Sequence, residues 1–440
     1  MNSILQILII FLASVNLLMT WVALFRLRQP TTLVLWLLKV FISAISPILF
    51  LAGLGTAILG LVLNSVPASA IGSLSALLFL IHMIKISQGA DPSTGFEQAF
   101  DTEWESRIPP ERKVSFLPKR YVLRLPESPD PVFHQNISFY AIPGTDRQLW
   151  CDIWQPPENV SHSGLAFIYL HGSAWAVLDK DYGTRTFFRH LSSQGHVIMD
   201  VAYRLFPETD FMGMTHDAKH AIAWMKKNAA AYEVNPDRIV IGGGSAGGHL
   251  SLLAAYTDHN KQLMPPDLES ADISVRGVIS LYGQSDLVAT YYHTCQHLTS
   301  HSALAQKKNG GSAGMPRWIQ KSMGEDFHRL GFDKDVEPGR LAPMLGGNPD
   351  EKPEAYSLFS PITHVHKECP PTLIIHGQHD ILAPAKAIRH LHSRLTESGV
   401  PVVMHLLPQT DHAFDLILPK ISPSAHNAYY DVERFLALMI

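Results

Sequence analysis

The sequence predicts an α/β protein: a mostly parallel sheet with helices on both faces, carrying one insertion and preceded by apolar helices. Three observations carry this expectation. From residue 165 onward, short apolar runs alternate with helix-like segments, as in βαβ units whose strands are buried on both faces. Polar residues suited to chemistry fall in loops just beyond those runs. Near the start, residues 4–25 and 40–84 contain no Asp, Glu, Lys or Arg.

Leu165-Ala166-Phe167-Ile168-Tyr169-Leu170 reads as a strand that ends in His171-Gly172-Ser173-Ala174-Trp175. A helix over Phe188 to Gln194, a strand over His196 to Tyr203 and a helix over His216 to Tyr232 follow. Arg238-Ile239-Val240-Ile241 is the next strand, and His249 to Ala255 is rich in strong helix formers. Between them lies Gly242-Gly243-Gly244-Ser245-Ala246-Gly247-Gly248, with glycine two positions before and two after Ser245. A serine on so tight a strand-to-helix turn can serve as a nucleophile elbow, because only small neighbours tolerate its backbone angles and the close strand-helix approach. Glycine-rich turns of this kind also cradle phosphates or simply allow packing, so other segments must decide.

Two downstream segments do. Thr372-Leu373-Ile374-Ile375 reads as a buried strand followed by His376-Gly377-Gln378-His379-Asp380, and Val402 to Leu407 as a last strand followed by Thr410-Asp411-His412-Ala413-Phe414-Asp415. The order is serine, acid, histidine, each beyond a different strand end. Asp286, after the strand-like Val278 to Tyr282, competes with Asp380 for the acid, or caps the segment that follows. Among 23 histidines, His405 lies inside a strand and His379 adjoins the acid, which leaves His412. Asp411 and Asp415 read as loop polar residues.

With these motifs in place, residues 137–440 resemble an α/β-hydrolase of the esterase/lipase group, close to its hormone-sensitive-lipase-like and feruloyl-esterase-like branches. The family's oxyanion loop reads His-Gly-Gly-Xaa-Trp or His-Gly-Gly-Gly. Here Ser173 replaces a glycine, which leaves the backbone amides in place and narrows the space beside them. Tyr203-Arg204-Leu205-Phe206-Pro207-Glu208 is similar to the family's Tyr-Arg-Leu-Xaa-Pro-Glu segment, and Asp217 with Trp224 to its Asp-to-Trp helix. The resemblance implies Ser245, Asp380 and His412 as catalytic residues, oxyanion donors at the amides of Ser173, Ala174 and Ala246, and a supporting loop of His171, Gly172 and Trp175. It implies no cofactor. No metal is expected either, since His293, Cys295 and His297 complete no ordinary zinc spacing.

Residues 4–25 are long enough to cross a hydrocarbon core, and 40–84 accommodates two more spans with a turn near Asn64-Ser65-Val66-Pro67. Residues 1–86 are therefore read as about three transmembrane helices. Met1-Asn2-Ser3 lacks the basic start of a signal peptide. Pro47, Gly53, Gly55 and Gly60 suit membrane helices in close contact. Arg26, Arg28 and Lys39 are assigned to the first loop and Lys85 follows the third span, which places both, with the hydrolase domain, on the cytosolic face of a multi-pass protein. Asn136-Ile137-Ser138 and Asn159-Val160-Ser161 are glycosylation acceptor triplets that would matter only on a lumenal face.

Residues 87–136, with Ile108-Pro109-Pro110 and Ser128-Pro129-Asp130-Pro131, read as a linker of low regular structure that packs on the domain. Residues 287–360 read as a cap insertion with Tyr291, Tyr292, Trp318, Phe327, Phe332 and the glycine-rich 310–314. The 440 residues carry a formal net charge of −4 with no basic stripe, so nucleic acid is not an expected partner. Three cysteines imply no disulfide framework. The expected activity is hydrolysis of a small apolar or lipid ester at a membrane through an acyl-enzyme. An amide hydrolase (formamidase or peptidase) of the same fold and a catalytically inactive membrane scaffold are the alternatives.

Overall fold

The computed structural model describes residues 2–27, 33–298 and 339–440. Four apolar helices lead: α1 (Asn2–Leu24), α2 (Leu33–Ala44), α3 (Ser46–Val62) and α4 (Val66–Ile86). Two short helices follow, α5 (Phe96–Phe100) and α6 (Pro110–Lys113). The strands are β1 (Val132–Ala141), β2 (Gln148–Gln155), β3 (Ala166–Leu170), β4 (Val197–Ala202), β5 (Ile239–Gly244), β6 (Gly277–Leu281), β7 (Thr372–Gly377) and β8 (Val402–Leu407). Their helices are α7 (Arg185–Ser192), α8 (Phe211–Asn228), α9 (Ala246–Tyr256), α10 (Leu287–His297), α11 (Leu341–Leu345), α12 (Pro353–Leu358), α13 (Ala385–Glu397) and α14 (Pro423–Leu438).

The eight strands form one sheet in the order β1-β2-β4-β3-β5-β6-β7-β8. β1 and β2 pair antiparallel with each other and β2 with β4, whereas every pair from β4 to β8 is parallel. This is the mostly parallel, helix-covered sheet of the α/β-hydrolase fold. The parallel strands are apolar at nearly every position because helices cover both faces, and β3, β5, β6 and β7 are buried along their whole length. One core cluster lies under α8 and α9, and the other under α7 and α14. Sheet pairing begins at Val132, five residues before the sequence-based start at 137.

Between α4 and β1 the chain lies against α14. The amide of Leu117 donates to Glu433 at 2.8 Å, and Arg120 holds Asp431 at 2.8 Å. His405 of β8 bonds the same Asp431 at 2.6 Å. In the insertion, Asp286 caps α10 by accepting from the Ala289 amide at 2.9 Å. Trp318, Phe327, Phe332 and the 310–314 stretch lie outside the described residues.

α1, α3 and α4 pack as a bundle whose contacts depend on small residues. A side chain at Gly60 would come within 2.5 Å of the Ser69 backbone, and one at Gly72 within 2.6 Å of that of Ala57. α2 and α3 meet at a 73° bend, and Lys39 lies within α2. This corrects the assignment of Lys39 to the first loop. It is buried against the sheet domain, so it is not available as a topology-setting loop charge.

Asp431 is fully buried. Burial alone would raise its pKa, but Arg120 and His405 more than offset this and hold it at about 2. A carboxylate held below its ordinary value stabilises the fold above about pH 4, and that contribution is lost as pH falls toward the folded-state value. Asp431→Asn is therefore expected to lower unfolding free energy by roughly 3 kcal/mol at neutral pH. The gap to wild type should narrow between about pH 4 and pH 2 in detergent-solubilised chain followed by denaturant unfolding.

Candidate active site

Ser245 sits between β5 and α9 with φ +53° and ψ −123°, a left-handed conformation that a side-chain-bearing residue adopts only when its surroundings enforce it. The crowding around it explains the flanking glycines. A Cβ at Gly243 would lie 2.2 Å from the Leu170 carbonyl oxygen, and one at Gly247 only 1.9 Å from the same oxygen. β3 thus passes so close under the turn that positions two before and two after the serine have no room for a side chain.

The loops after β7 and β8 bring an acid and an imidazole to this turn. Ser245 Oγ lies 2.7 Å from His412 Nε2, and His412 Nδ1 lies 2.8 Å from Asp380 Oδ2. In the tautomer this geometry requires, Nδ1–H donates to the carboxylate and Nε2 accepts from the serine. The second Asp380 oxygen accepts from the amides of Leu382 and Ala383, each at 2.8 Å. Burial pushes the Asp380 carboxyl up, but His412, His376 and the Ala383 amide outweigh it and leave its pKa below the ordinary value. The acid is therefore ionised at neutral pH. Asp286 occupies a helix cap instead.

The segment after β3 passes directly over the turn: a Cβ on Gly172 would lie 3.3 Å from that of Ser245. Ala174 and Trp175 have φ of +44° and +61°, which folds the loop back on itself. Ser173 Oγ bonds Tyr203 Oη at 2.7 Å and accepts from the Trp175 amide at 2.9 Å, so this serine braces the loop. Tyr203 donates to the His171 carbonyl at 2.8 Å, while Trp175 Nε1 donates to His249 at 3.1 Å. His171 stacks on Tyr203, and burial lowers its pKa to about 4, which keeps it neutral. No backbone carbonyl takes the amides of Ser173 or Ala174 among the described residues, and Ala246 is the first residue of α9, where an amide has no partner within the helix. Arg204, just beyond β4, grips Asp217 with bonds as short as 2.6 Å and fastens the stretch after β4 to α8.

Two aspartates read as plain loop polar residues are not that. Asp415 is buried and accepts from Tyr282 Oη at 2.5 Å, and burial raises its pKa to about 6. The Tyr282 ring packs 4.7 Å from that of His412, so this pair backs the imidazole. Asp411 is buried too: Oδ1 accepts from the amides of Ile381 and His412 at 3.2 and 2.9 Å, and Oδ2 pairs with Lys39 at 3.1 Å. Unpaired in sequence with anything nearby, both look like solvated loop residues.

Gly247→Ala is expected to lower stability by about 1–3 kcal/mol or more, because backbone atoms cannot yield to the added methyl group. Gly55, a helix position with no atom within 4 Å of an added Cβ, provides the contrast. Gly55→Ala should leave the melting midpoint unchanged or raise it.

A family model described as BD-FAE matches residues 151–395, more than half of the chain, a span that includes Ser245 and Asp380 and ends before His412. The chain is 30% identical over 288 residues to the probable carboxylic ester hydrolase LipM of Mycobacterium tuberculosis, covering 65% of this chain and 57% of that protein. It is 27% identical over 304 residues to esterase LipQ of the same organism, covering 67% and 62%. The chain thus spans about three fifths of the length of these curated relatives. Among solved structures, a truncated form of a carbohydrate esterase from gut microbiota aligns with 22% identity and a TM-score of 0.49, covering 72% of this chain and 99% of that one. The chain belongs to the BD-FAE family.

Proposed function

We propose that this chain is a membrane-anchored serine hydrolase that cleaves carboxylic esters through an acyl-enzyme, with Ser245 as nucleophile, His412 as general base and acid, and Asp380 as its orienting carboxylate. The observation that carries this reading is the continuous hydrogen-bonded array from Ser245 Oγ through both ring nitrogens of His412 to Asp380. The similarity to proteins described as a carboxylic ester hydrolase and an esterase supports the same chemistry.

His412 Nε2 takes the Ser245 proton as Oγ attacks the ester carbonyl carbon. The carbonyl electron pair moves to oxygen, where the free amides of Ser173, Ala174 and Ala246 stabilise it. As the tetrahedral intermediate collapses, the bond to the alkoxy oxygen breaks, and protonated His412 delivers its proton to the departing alcohol. Water, deprotonated by the same nitrogen, then attacks the acyl carbon; the bond to Ser245 Oγ breaks, His412 returns the proton to Oγ, and the carboxylic acid leaves. Asp380 stays ionised throughout and stabilises the transient imidazolium.

Anchoring rests on α1, on α4 and on the bent α2–α3 pair, which by length and composition give two membrane-crossing helices, or three if the bent pair counts as one. Their outer faces leave large apolar side chains in the open, among them Ile7, Phe11, Leu51 and Leu61, each at least 62% exposed. Water would oppose such a surface and lipid would accept it. A site beside an apolar bundle suits an ester that partitions into the bilayer.

Ser245→Ala is expected to lower kcat for a short p-nitrophenyl ester by about 10⁴-fold or more, and Asp380→Asn by on the order of 10⁴-fold. Asp286→Asn should leave kcat within about 3-fold of wild type, since asparagine caps a helix as well as aspartate. Steady-state assays of purified full chain check all three, and retention of wild-type turnover by Ser245→Ala contradicts the assignment.

A further inference from the structure

Lys39 is the one charged side chain of α2, and its exposure is 1%. Hydrophobic docking does not require it: a methionine would seat an apolar helix without the cost of burying an ammonium group. Its partners explain the charge. Nζ donates to Asp411 Oδ2 at 3.1 Å and lies 3.1 Å from His379 Nδ1. Each partner is the immediate chain neighbour of a member of the site, His379 of Asp380 and Asp411 of His412. The other Asp411 oxygen accepts from the amides of Ile381 and His412. One carboxylate therefore ties together the acid loop and the histidine loop, and one lysine from the apolar helices holds that carboxylate.

The rest of the interface agrees. Trp36, three residues before Lys39, places its ring 6.4 Å from the His412 imidazole. Trp36 and Val40 share an apolar cluster with Ile381 and Leu382, which follow Asp380 directly. On α4, His82 bridges Ser43 at 3.1 Å and Gln409 at 2.9 Å, adding a second polar link between α2 and the histidine loop. The crevice left between α2 and this loop holds only about 10 Å³, less than or comparable to the space one water needs.

We propose that Lys39 is a positioning residue for the Ser245–His412–Asp380 array, so that the apolar N-terminal helices belong to the turnover machinery and are more than a tether. The inference rests on the ester-hydrolase reading and extends it. Burial holds the Asp411 pKa above its ordinary value, and the neighbouring Asp380 charge pushes the same way, while Lys39 opposes both. Without Lys39, Asp411 either takes up a proton, weakening its hold on the two amides, or keeps its charge beside His412 and favours the imidazolium. Both outcomes disable the base near neutrality without touching substrate. Among the described residues, the other charged or titratable groups around His412 are His376 near the end of β7 and Asp380 just beyond it, His293 on α10, bonded to the Asp380 carbonyl, and Asp415 with Tyr282. Arg26 after α1 and His82 on α4 act on the Lys39–His379 side.

The test is a double-variant cycle on full chain in detergent micelles, with a short p-nitrophenyl ester and matched folded fractions. Lys39→Met should lower kcat by about 30-fold with KM within about 3-fold, and move the acid limb of the kcat/KM profile to higher pH. Asp411→Asn strands the ammonium instead and should move that limb to lower pH. In the combined Lys39→Met/Asp411→Asn chain, the substituted carboxamide oxygen still accepts from both backbone amides and no charge is left over. Its kcat should recover to within about 5-fold of wild type, and its limb should return. Opposite limb shifts that cancel are a signature that mere helix docking does not produce. Wild-type kcat and limb in Lys39→Met, or a combined variant no better than the worse single one, overturn the proposal. If Lys39→Met does not fold, Asp411→Asn against wild type decides, and an unmoved acid limb there overturns it. A wild-type chain that does not hydrolyse the ester, or a Ser245→Ala chain that does, defeats the hydrolase reading itself and is told apart from failure of the Lys39 role alone.

Discussion

The arrangement depends on one imidazole bonded at both nitrogens. His412 is buried, at 2% exposure, and its two bonds, to Ser245 and to Asp380, reach residues on the loops of two other strands. A ring in that position has one useful orientation, and the structure around it serves to fix that orientation. Parallel strands from β5 to β8 deliver their C-terminal ends to one rim, which is where an open α/β sheet places its reactive loops. The strained turn at Ser245 lifts the hydroxyl clear of the sheet, and the glycines around Leu170 make that turn sterically feasible. Asp380, bonded to two amides, cannot swing away from the ring. Tyr282 packs behind the imidazole.

Much of the parallel sheet was legible because its strands are buried on both sides. Ala166–Leu170 and Thr372–Gly377 are apolar runs closed by glycine or polar loops, a pattern with few competing readings. β1 was not legible. It is an antiparallel edge strand, largely exposed, and residues such as His134, Gln135, Asn136 and Ser138 make it read like the polar segment before it. Ser245, Asp380 and His412 emerged from the order of motifs along the chain, each beyond a separate strand. The braces around them did not. Tyr282 and Asp415 act through contacts that no local pattern announces, and Lys39 meets Asp411 across 372 positions. A lysine bordering an apolar stretch looks like a loop charge until the fold shows where its ammonium lands.

The apolar helices are joined to the sheet domain by polar bonds at its most sensitive point. Besides Lys39 and His82, Asn427 of α14 donates to the carbonyl of Gln88 at 3.0 Å and to that of Ile86 at the end of α4. Buried polar bonds of this kind fix register between packed elements, because sliding one past the other strands a charge or a donor. The bundle therefore meets the domain in a defined pose, with α2 beside the histidine loop.

The most direct measurement is peptide mapping by mass spectrometry of the full chain after treatment with a fluorophosphonate, a reagent that captures an activated serine hydroxyl. One adduct is expected, on the peptide that contains Ser245, together with its loss when His412 is replaced by alanine. Ester turnover with Ser245 unmodified, or an adduct at a different serine that abolishes turnover, would contradict it.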